Sequence, residues 1–305
     1  MMIAKLRKII WSLMYRVGLT GLLSDETFVK MLFWFRLGRW LNLEHPVGFN
    51  EKIQWMKLYY RNPLMVQCAD KFAVRQYVEQ KVGSQYLVPC IGVYDSAEQI
   101  DWERLPAQFV IKATHGSGWN LICKDKCRLD IVKAKHTISK WLKKDFSKVG
   151  REWQYSMIKP RIVIEEFLRD EKDEKFNLKD YKVFTFAGIC KYIWVDYYKE
   201  DSAGHILHLR NIYDTNWNWL PSTGSLFPCG EGCDVDRPKC LDELLSVAAE
   251  LGKDFPHCRV DLYILGDSKI FFGELTFTCG NGVNEFFPSS FGERLGSFIE
   301  LPKKF

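Results

Sequence analysis

The chain mixes two kinds of apolar spacing. Its first fifty residues, rich in Trp, Phe, Leu and Arg, read as helices. Asn50–Tyr60 continues in the same way, with Ile53, Met56, Lys57 and Tyr60 at helical spacing. Asp70 can cap a helix that carries Phe72, Ala73, Tyr77 and Val78 and closes at Gly83. Asp130 can cap another, with Ile131, Ala134, Ile138, Trp141 and Leu142 on one face, and Asp242–Leu251 is a third. Between them lie strand-like runs: Phe109–Ala113, Trp119–Cys123, Ile162–Leu168, Tyr181–Phe186, Tyr192–Asp196, Ile206–Tyr213, Cys258–Leu265 and Lys269–Leu275. Helices and strands do not alternate strictly, which predicts an α+β fold with helices on one face of its sheets rather than a doubly wound one.

Two segments punctuate this pattern. Residues 169–180 form a charged connector, a natural domain boundary, and the Gly/Pro/Ser-rich stretch Pro221–Pro238 reads as a surface insertion. With 305 residues, 47% of them hydrophobic, the chain can build more than one domain. No apolar run reaches the roughly eighteen residues of a membrane span. Met1–Asp25 has a basic start before Ile9 and Ile10, but Arg16 interrupts the apolar stretch, so it reads as a mature amphipathic helix and not a signal peptide.

Ten cysteines in a chain of this length fit free thiols in a reducing compartment, with Cys68, Cys90, Cys190 and Cys258 in apolar or strand-like contexts. Cys229, Cys233 and Cys240 match no standard zinc spacing. The net charge of +5 is unevenly placed: residues 1–57 hold nine Lys/Arg against four Asp/Glu. That excess suits either an anionic surface, such as the inner membrane leaflet or an acidic glycan, or an ordinary solvated helix face.

Three constellations carry candidate chemistry. In Phe109–Asn120 a strand ends in Lys112 and passes through the turn Gly116-Ser117-Gly118, whose backbone N–H groups can cradle an anion. The lysine precedes the glycines, so this is not a Walker A loop. In Ile162–Leu168 an apolar strand ends in Glu165 and Glu166 beside the connector, as at an inter-domain edge. The third runs from His257 to Thr276 and reads as a β-hairpin. Alternation puts Arg259, Asp261 and Tyr263 on one face of its first strand, and Ile270, Phe272, Glu274 and Thr276 on one face of its second. With Asp267-Ser268 as the turn, Asp261 lies opposite Glu274; with Gly266-Asp267, the two are diagonal. Either way the carboxylates share a face, roughly 5 to 8 Å apart at Cβ. Arg259 can neutralise them in a salt-bridge cluster, or a hard divalent cation can, since oxygen ligands suit Mg²⁺.

In this order, the three pieces resemble the ATP-grasp superfamily, over roughly residues 70 to 285. The likeness is closer to its teichuronopeptide-biosynthesis (TupA-like) branch. Pro46–Trp55, Arg61–Leu64, Cys68–Lys71, His115–Asn120, Gly150–Tyr155, Asp180–Lys182, Arg210–Asp214 and Gly273–Phe277 carry it. The resemblance implies two α+β subdomains clasping ATP, preceded by a helical region. Its divisions are residues 1–105 for that region, 106–170 for the lid and 171–305 for the carboxy-terminal subdomain. It implies Lys71, Lys112, Gly116, Ser117 and Gly118 at the phosphates and Glu165, Glu166, Phe167 and Leu168 at the adenosine. It implies Asp261 and Glu274 as ligands to one or two Mg²⁺, with Thr276 where the family usually has a third ligand, Asn. Arg259, Arg210 and Lys182 are the catalytic candidates, and the turn Cys279–Gly282 can present N–H groups to substrate.

The activity implied is a cytoplasmic, ATP-dependent ligase that joins a carboxylate to an amine through an acyl phosphate. Its substrates would be an amino acid and a sugar or uronic acid of surface polysaccharide such as capsule. No nucleic-acid partner is expected, and the basic amino-terminal region can meet membrane or glycan. A glycosyltransferase of capsule or O-antigen synthesis is the rival reading. It would want a metal-binding Asp-x-Asp, and Asp234-Val235-Asp236 fits the letters, although in a Gly/Cys/Pro loop.

Overall fold

The computed structural model describes residues 2–170, 178–221, 223, 227–266 and 268–304. The amino-terminal third is helical: α1 (Met2–Arg16), α2 (Asp25–Leu37), α3 (Phe49–Tyr59), α4 (Leu64–Ala69) and α5 (Val74–Lys81). Ser24 Oγ accepts from Thr27 N at the start of α2, and Gly38, at φ 77°, ends it. Glu51 reaches back to the amides of Val47 and Gly48 at the start of α3. Asp70 Oδ1 accepts from Phe72 N and Ala73 N, so it caps the turn that leads into α5.

The next segment builds a four-stranded antiparallel sheet from β1 (Cys90–Tyr94), β2 (Phe109–Ala113), β3 (Asn120–Cys123) and, after α6 (Ile131–Leu142) and α7 (Ser147–Gly150), β4 (Ile162–Glu166). The strand order is β1-β4-β2-β3. β1 has no counterpart among the predicted runs and lies upstream of residue 106, where the sequence puts the start of the lid. It pairs across from Glu165 and Ile164, which its own spacing does not announce. Asp130 caps α6 through Lys133 N, as expected. One face of this sheet carries Phe109, Ile111, Ala113, Ile162 and Ile164 into a small core with Ala134 and Ile138 of α6. The other face presents Val110, Lys112 and Glu165.

The last segment forms a five-stranded antiparallel sheet: β5 (Asp180–Phe186), β6 (Ile189–Glu200), β7 (Ile206–Asp214), then, after α8 (Leu241–Gly252), β8 (Cys258–Leu265) and β9 (Lys269–Thr276). The order is β7-β6-β5-β8-β9, and α9 (Ser289–Ser297) follows. α8 covers one face, burying Leu244, Val247, Ala248 and Leu251 against β5, β6 and β8. The helices α1–α5 and α9 share the same large core as this sheet. The described residues therefore form two hydrophobic cores, and the amino-terminal helices belong to the second.

Residues 171–177 of the charged connector, several positions of the 221–238 loop and Asp267 of the hairpin turn lie outside the described residues. The described part of that loop is more than a surface insertion. Pro228 O accepts from Arg210 N at 3.0 Å, and Glu231 O accepts from Asn211 Nδ2 at 2.7 Å, tying the loop to β7. Ten free cysteines are present: Cys68 and Cys258 are buried, but Cys90 is exposed because β1 is an edge strand. No described helix is long and apolar enough to cross a membrane.

Candidate active site

The face of the five-stranded sheet opposite α8 carries two adjacent rows of polar side chains. Cross-strand pairing aligns Arg210, Asp196, Asp180 and Tyr263 in one row. The neighbouring row runs Trp194, Lys182, Asp261 and Glu274. The hairpin register matches neither sequence alternative near the turn and the first of them beyond it. Near the turn Leu265 pairs with Lys269, and beyond a bulge Asp261 pairs with Glu274. Gly273 is the extra residue of the bulge. A Cβ there would meet Asp261 O at 2.9 Å. The bulge also corrects the predicted alternation: Ile270 and Phe272 join Leu262 and Ile264 in the core, while Glu274 and Thr276 stay on the polar face.

Ion pairs stitch these rows together. Arg259 donates to both Asp261 oxygens, at 2.6 and 2.5 Å, and to Thr276 Oγ1 at 3.1 Å. Thr276 in turn donates to Glu274 Oε1 at 3.1 Å. The buried Lys182 ammonium donates to Asp180 and, at 3.2 Å, to Asp261 Oδ2, with Asp196 at 3.7 Å. Arg210 clasps Asp196 through two bonds, at 2.5 and 2.7 Å. Arg210 and Arg259 are thus at opposite ends of one network and do not meet.

The lid sheet faces these rows. Lys112 donates to Glu165 Oε2 at 2.6 Å, and Arg75 of α5 donates to the other oxygen at 3.2 Å. Lys71 is fixed to the lid turn: its amide donates to Thr114 O, and its ammonium donates to Gly116 O. Gly116 is buried because the Trp119 indole lies where its Cβ would be, whereas Ser117 and Gly118 are exposed. Gly118 takes φ 73°, which the tight turn requires.

A cavity of about 480 Å³ lies between the two sheets. Lys112, Val110 and Ile122 wall it on the lid side, residues 165–170 at the hinge, and Asp180, Asp196, His208 and Tyr263 on the other side. Its electrostatics are tightly set. Burial, then repulsion from Asp261, pushes Asp180 up to about 7. Burial also acts on Asp261, but Arg259 and Lys182 outweigh it and hold that carboxyl below its ordinary value. Burial lowers Lys71, whose ammonium feels Glu274 across the gap between the sheets. Burial raises the Tyr263 phenol far above its ordinary range, and Asp180, Glu274, Asp261 and Glu165 all bear on it.

The structure therefore puts Lys112 and Glu165 on the cavity wall, with Glu166, Phe167 and Leu168 along its hinge edge; Lys71 is tied to the lid turn, and Lys182, Arg259, Asp261, Glu274 and Thr276 form a linked network that reaches the wall through Asp180. Asn281 is occupied elsewhere: its carbonyl accepts from Gln54, and its side chain accepts from Lys57 at 2.5 Å. Asp234 accepts from Tyr197 and Lys199, which alternate away from the cavity face of β6. The Asp-x-Asp of the rival reading is thus on the other side of the sheet from Asp261. Sequence reasoning missed Asp180, Asp196 and Arg75. The period-2 spacing of Asp180 and Lys182 was a signal, but Asp196 needed the strand order.

The donors suit Mg²⁺ and phosphate. Asp261 and Glu274 offer only oxygen, as Mg²⁺ prefers. Among the described residues, Asp180 Oδ1 is buried without a hydrogen-bond partner at the cavity wall, so the wall presents an unmet acceptor. Lys71 and Lys112 supply the opposite charge on the lid side.

Three solved structures give a measure of the likeness. An L-amino acid ligase from Bacillus licheniformis is 12% identical at TM-score 0.45, covering 77% of this chain and 50% of its own. The D-alanine–D-alanine ligase from Bacillus anthracis in complex with ATP is 14% identical at 0.42, covering 77% and 60%. The D-cycloserine synthetase DcsG is 14% identical at 0.42, covering 77% and 70%. This chain spans 59% of another D-alanine–D-alanine ligase structure from Bacillus anthracis. No curated protein matches the chain. Residues 51–300, which hold both sheets and the gap between them, match the TupA-like ATP-grasp family; with that match the chain belongs to the family and has its ATP-grasp fold.

Proposed function

We propose that this protein is an ATP-dependent ligase that joins a carboxylate to an amine through an acyl phosphate. The carrying observation is a cavity of about 480 Å³ between the two sheets, with Lys112 on its lid wall and Asp180 on the other, where Lys71 is tied to the lid turn and Lys182 links Asp180 to Asp261, which pairs with Glu274. That volume suits a nucleotide-sized ligand. Membership of the TupA-like family supports the same reading, and supports a sugar or uronic acid of surface polysaccharide as one substrate. A supply of ATP and ten free thiols favour the cytoplasm.

In this reading the adenosine lies against Glu165–Leu168, and the triphosphate runs towards Lys71, Lys112 and the Gly116-Ser117-Gly118 turn. Asp261 and Glu274 would hold Mg²⁺, which supplies neutralisation of phosphate charge when bound. Arg259 and Thr276 keep those carboxylates in register. Lys182 balances Asp180, Asp196 and Asp261, so the row can sit beside phosphate without a surplus of repelling charge. Arg210 anchors the far end of the row through Asp196. The substrate carboxylate attacks the γ-phosphorus and displaces ADP to give the acyl phosphate, the amine then attacks the acyl carbon, expelling inorganic phosphate and losing a proton, and closure of the lid excludes water.

Titration calorimetry with a non-hydrolysable ATP analogue, with and without Mg²⁺, tests this. Metal-dependent binding by the wild type that Asp261→Asn abolishes is the expected result. Failure to bind the analogue, with binding of a nucleotide sugar, would overturn the ligase.

A further inference from the structure

The packed face of α1 is not its apolar face. Trp11 is buried against Phe28 and Phe35, with ring centroids at 5.2 and 5.5 Å. Arg7 stacks on Trp34, and Lys8 bonds Glu285 at 2.5 Å. These contacts turn the stripe Ile3, Leu6, Ile10, Leu13, Val17, spaced by threes and fours, towards solvent. Ile3 is 72% exposed, Leu6 55% and Leu13 60%, and Leu22 beyond the helix is 85% exposed. An outward row of large aliphatics that long is unusual for a surface in water.

The charges beside the stripe have one sign. Residues 1–24 contain Lys5, Arg7, Lys8 and Arg16 and no Asp or Glu. On a helical wheel Lys5 and Arg16 flank the stripe on one side and Arg7 on the other. Lys5 and Arg16 are exposed and have no ion-pair partner among the described residues. Arg7 lines a second cavity of mixed charge with Arg36, Arg39, Glu51, Glu285 and Glu293, and Trp40 is 70% exposed.

We infer that α1 lies in the surface of an anionic phospholipid bilayer, with Ile3, Leu6, Ile10, Leu13 and Val17 among the acyl chains and Lys5 and Arg16 at the headgroups. A second copy of the chain fits less well, since two such faces would bring like charges together with no acid between them. An acidic glycan could meet the cations but has nothing to offer the aliphatic row. The inference stands apart from the ligase reading, since α1 contributes nothing to the cavity between the sheets.

Co-sedimentation of the full chain with phosphatidylglycerol-containing vesicles and with neutral phosphatidylcholine vesicles tests it. The expected result is binding to the anionic vesicles at least tenfold stronger than to the neutral ones, weakening as salt is added. Leu6→Asp with Leu13→Asp should reduce it at least tenfold, while thermal midpoint and ATP-analogue binding stay put because both side chains face out. Lys5→Glu with Arg16→Glu should abolish the preference for anionic lipid. Absence of binding by the wild type overturns the inference. So does a dimer in solution that the leucine substitutions dissociate, or binding to a soluble acidic polysaccharide in place of vesicles.

Discussion

Asp261 lies directly across the β8–β9 ladder from Glu274, and Gly273 is what brings them level. Without the bulge the pairing set at the turn would continue, Asp261 would lie opposite Gly273, and Glu274, slipped by one residue, would turn to the core face opposite Val260. The bulge also sends Phe272 into the core and Glu274 to the polar face, so one residue without a side chain divides the packing half of β9 from its chemical half.

Gly273→Ala tests this. In an unstrained strand, alanine for glycine stabilises by about 0.4–1 kcal/mol. Here the new Cβ meets the backbone oxygen of Asp261 at 2.9 Å and the Tyr263 ring at 3.0 Å. The expected sign is therefore reversed, a loss of about 1–3 kcal/mol in urea unfolding, with weaker binding of ATP analogue.

Asp261→Asn leaves Arg259 and Lys182 buried with their shared carboxylate gone. Removing one partner of a buried ion pair costs about 3–5 kcal/mol. Metal-dependent binding of ATP analogue should vanish as well. Asp236→Asn, at an exposed position, should change stability by no more than about 0.5 kcal/mol and leave binding intact. Calorimetry and denaturant unfolding on both variants distinguish the ligase from the transferase, which needs the opposite pattern.

Arg259→Lys keeps the charge but loses the two parallel bonds to Asp261 and the contact to Thr276. A loss of about 1.5–3 kcal/mol follows for the charged hydrogen bonds that a point-like ammonium cannot replace. The affinity for Mg²⁺ in the presence of ATP analogue should fall, because Thr276 and Glu274 lose their common support. An unchanged affinity would mean that Arg259 serves stability alone.

Asp180 sets a pH signature. Burial and the nearby Asp261 charge raise it from an ordinary 3.8 to about 7. Between those values the folded protein keeps a proton that the unfolded chain has released, so this group lowers stability as pH rises through the window. Asp180→Asn removes the effect. The variant should gain on the wild type from about pH 4 to pH 7, by on the order of 4 kcal/mol at most, and the gap should level off above. Urea midpoints across that range give the answer, and a gap independent of pH would contradict it.

Much of the site was legible because its residues sit on short, strongly patterned segments. The period-2 spacing of β8 put Arg259, Asp261 and Tyr263 on one face, and both capping aspartates, Asp70 and Asp130, cap where the sequence has them. Asp196 was not legible, because its place beside Asp180 depends on β6 adding to β5, a pairing between strands that no local spacing encodes. β1 escaped for the same reason: Cys90–Tyr94 is a strand only because β4 lies beside it.

The sequence by itself determined most of the elements (though not β1), the hairpin that carries both acidic residues, the lysines before the glycine turn and the family likeness. These are local matters of period, cap and turn chemistry, settled within a few residues of chain. Only the tertiary structure decided three things. It chose the register that puts Asp261 level with Glu274, because a bulge answers to the partner strand. It assembled Arg210, Asp196, Lys182 and Asp261 into one network, because strand order is a property of the whole sheet. It turned the apolar stripe of α1 outwards, because Trp11 found its partners on α2, and which face of an amphipathic helix is buried depends on what it packs against.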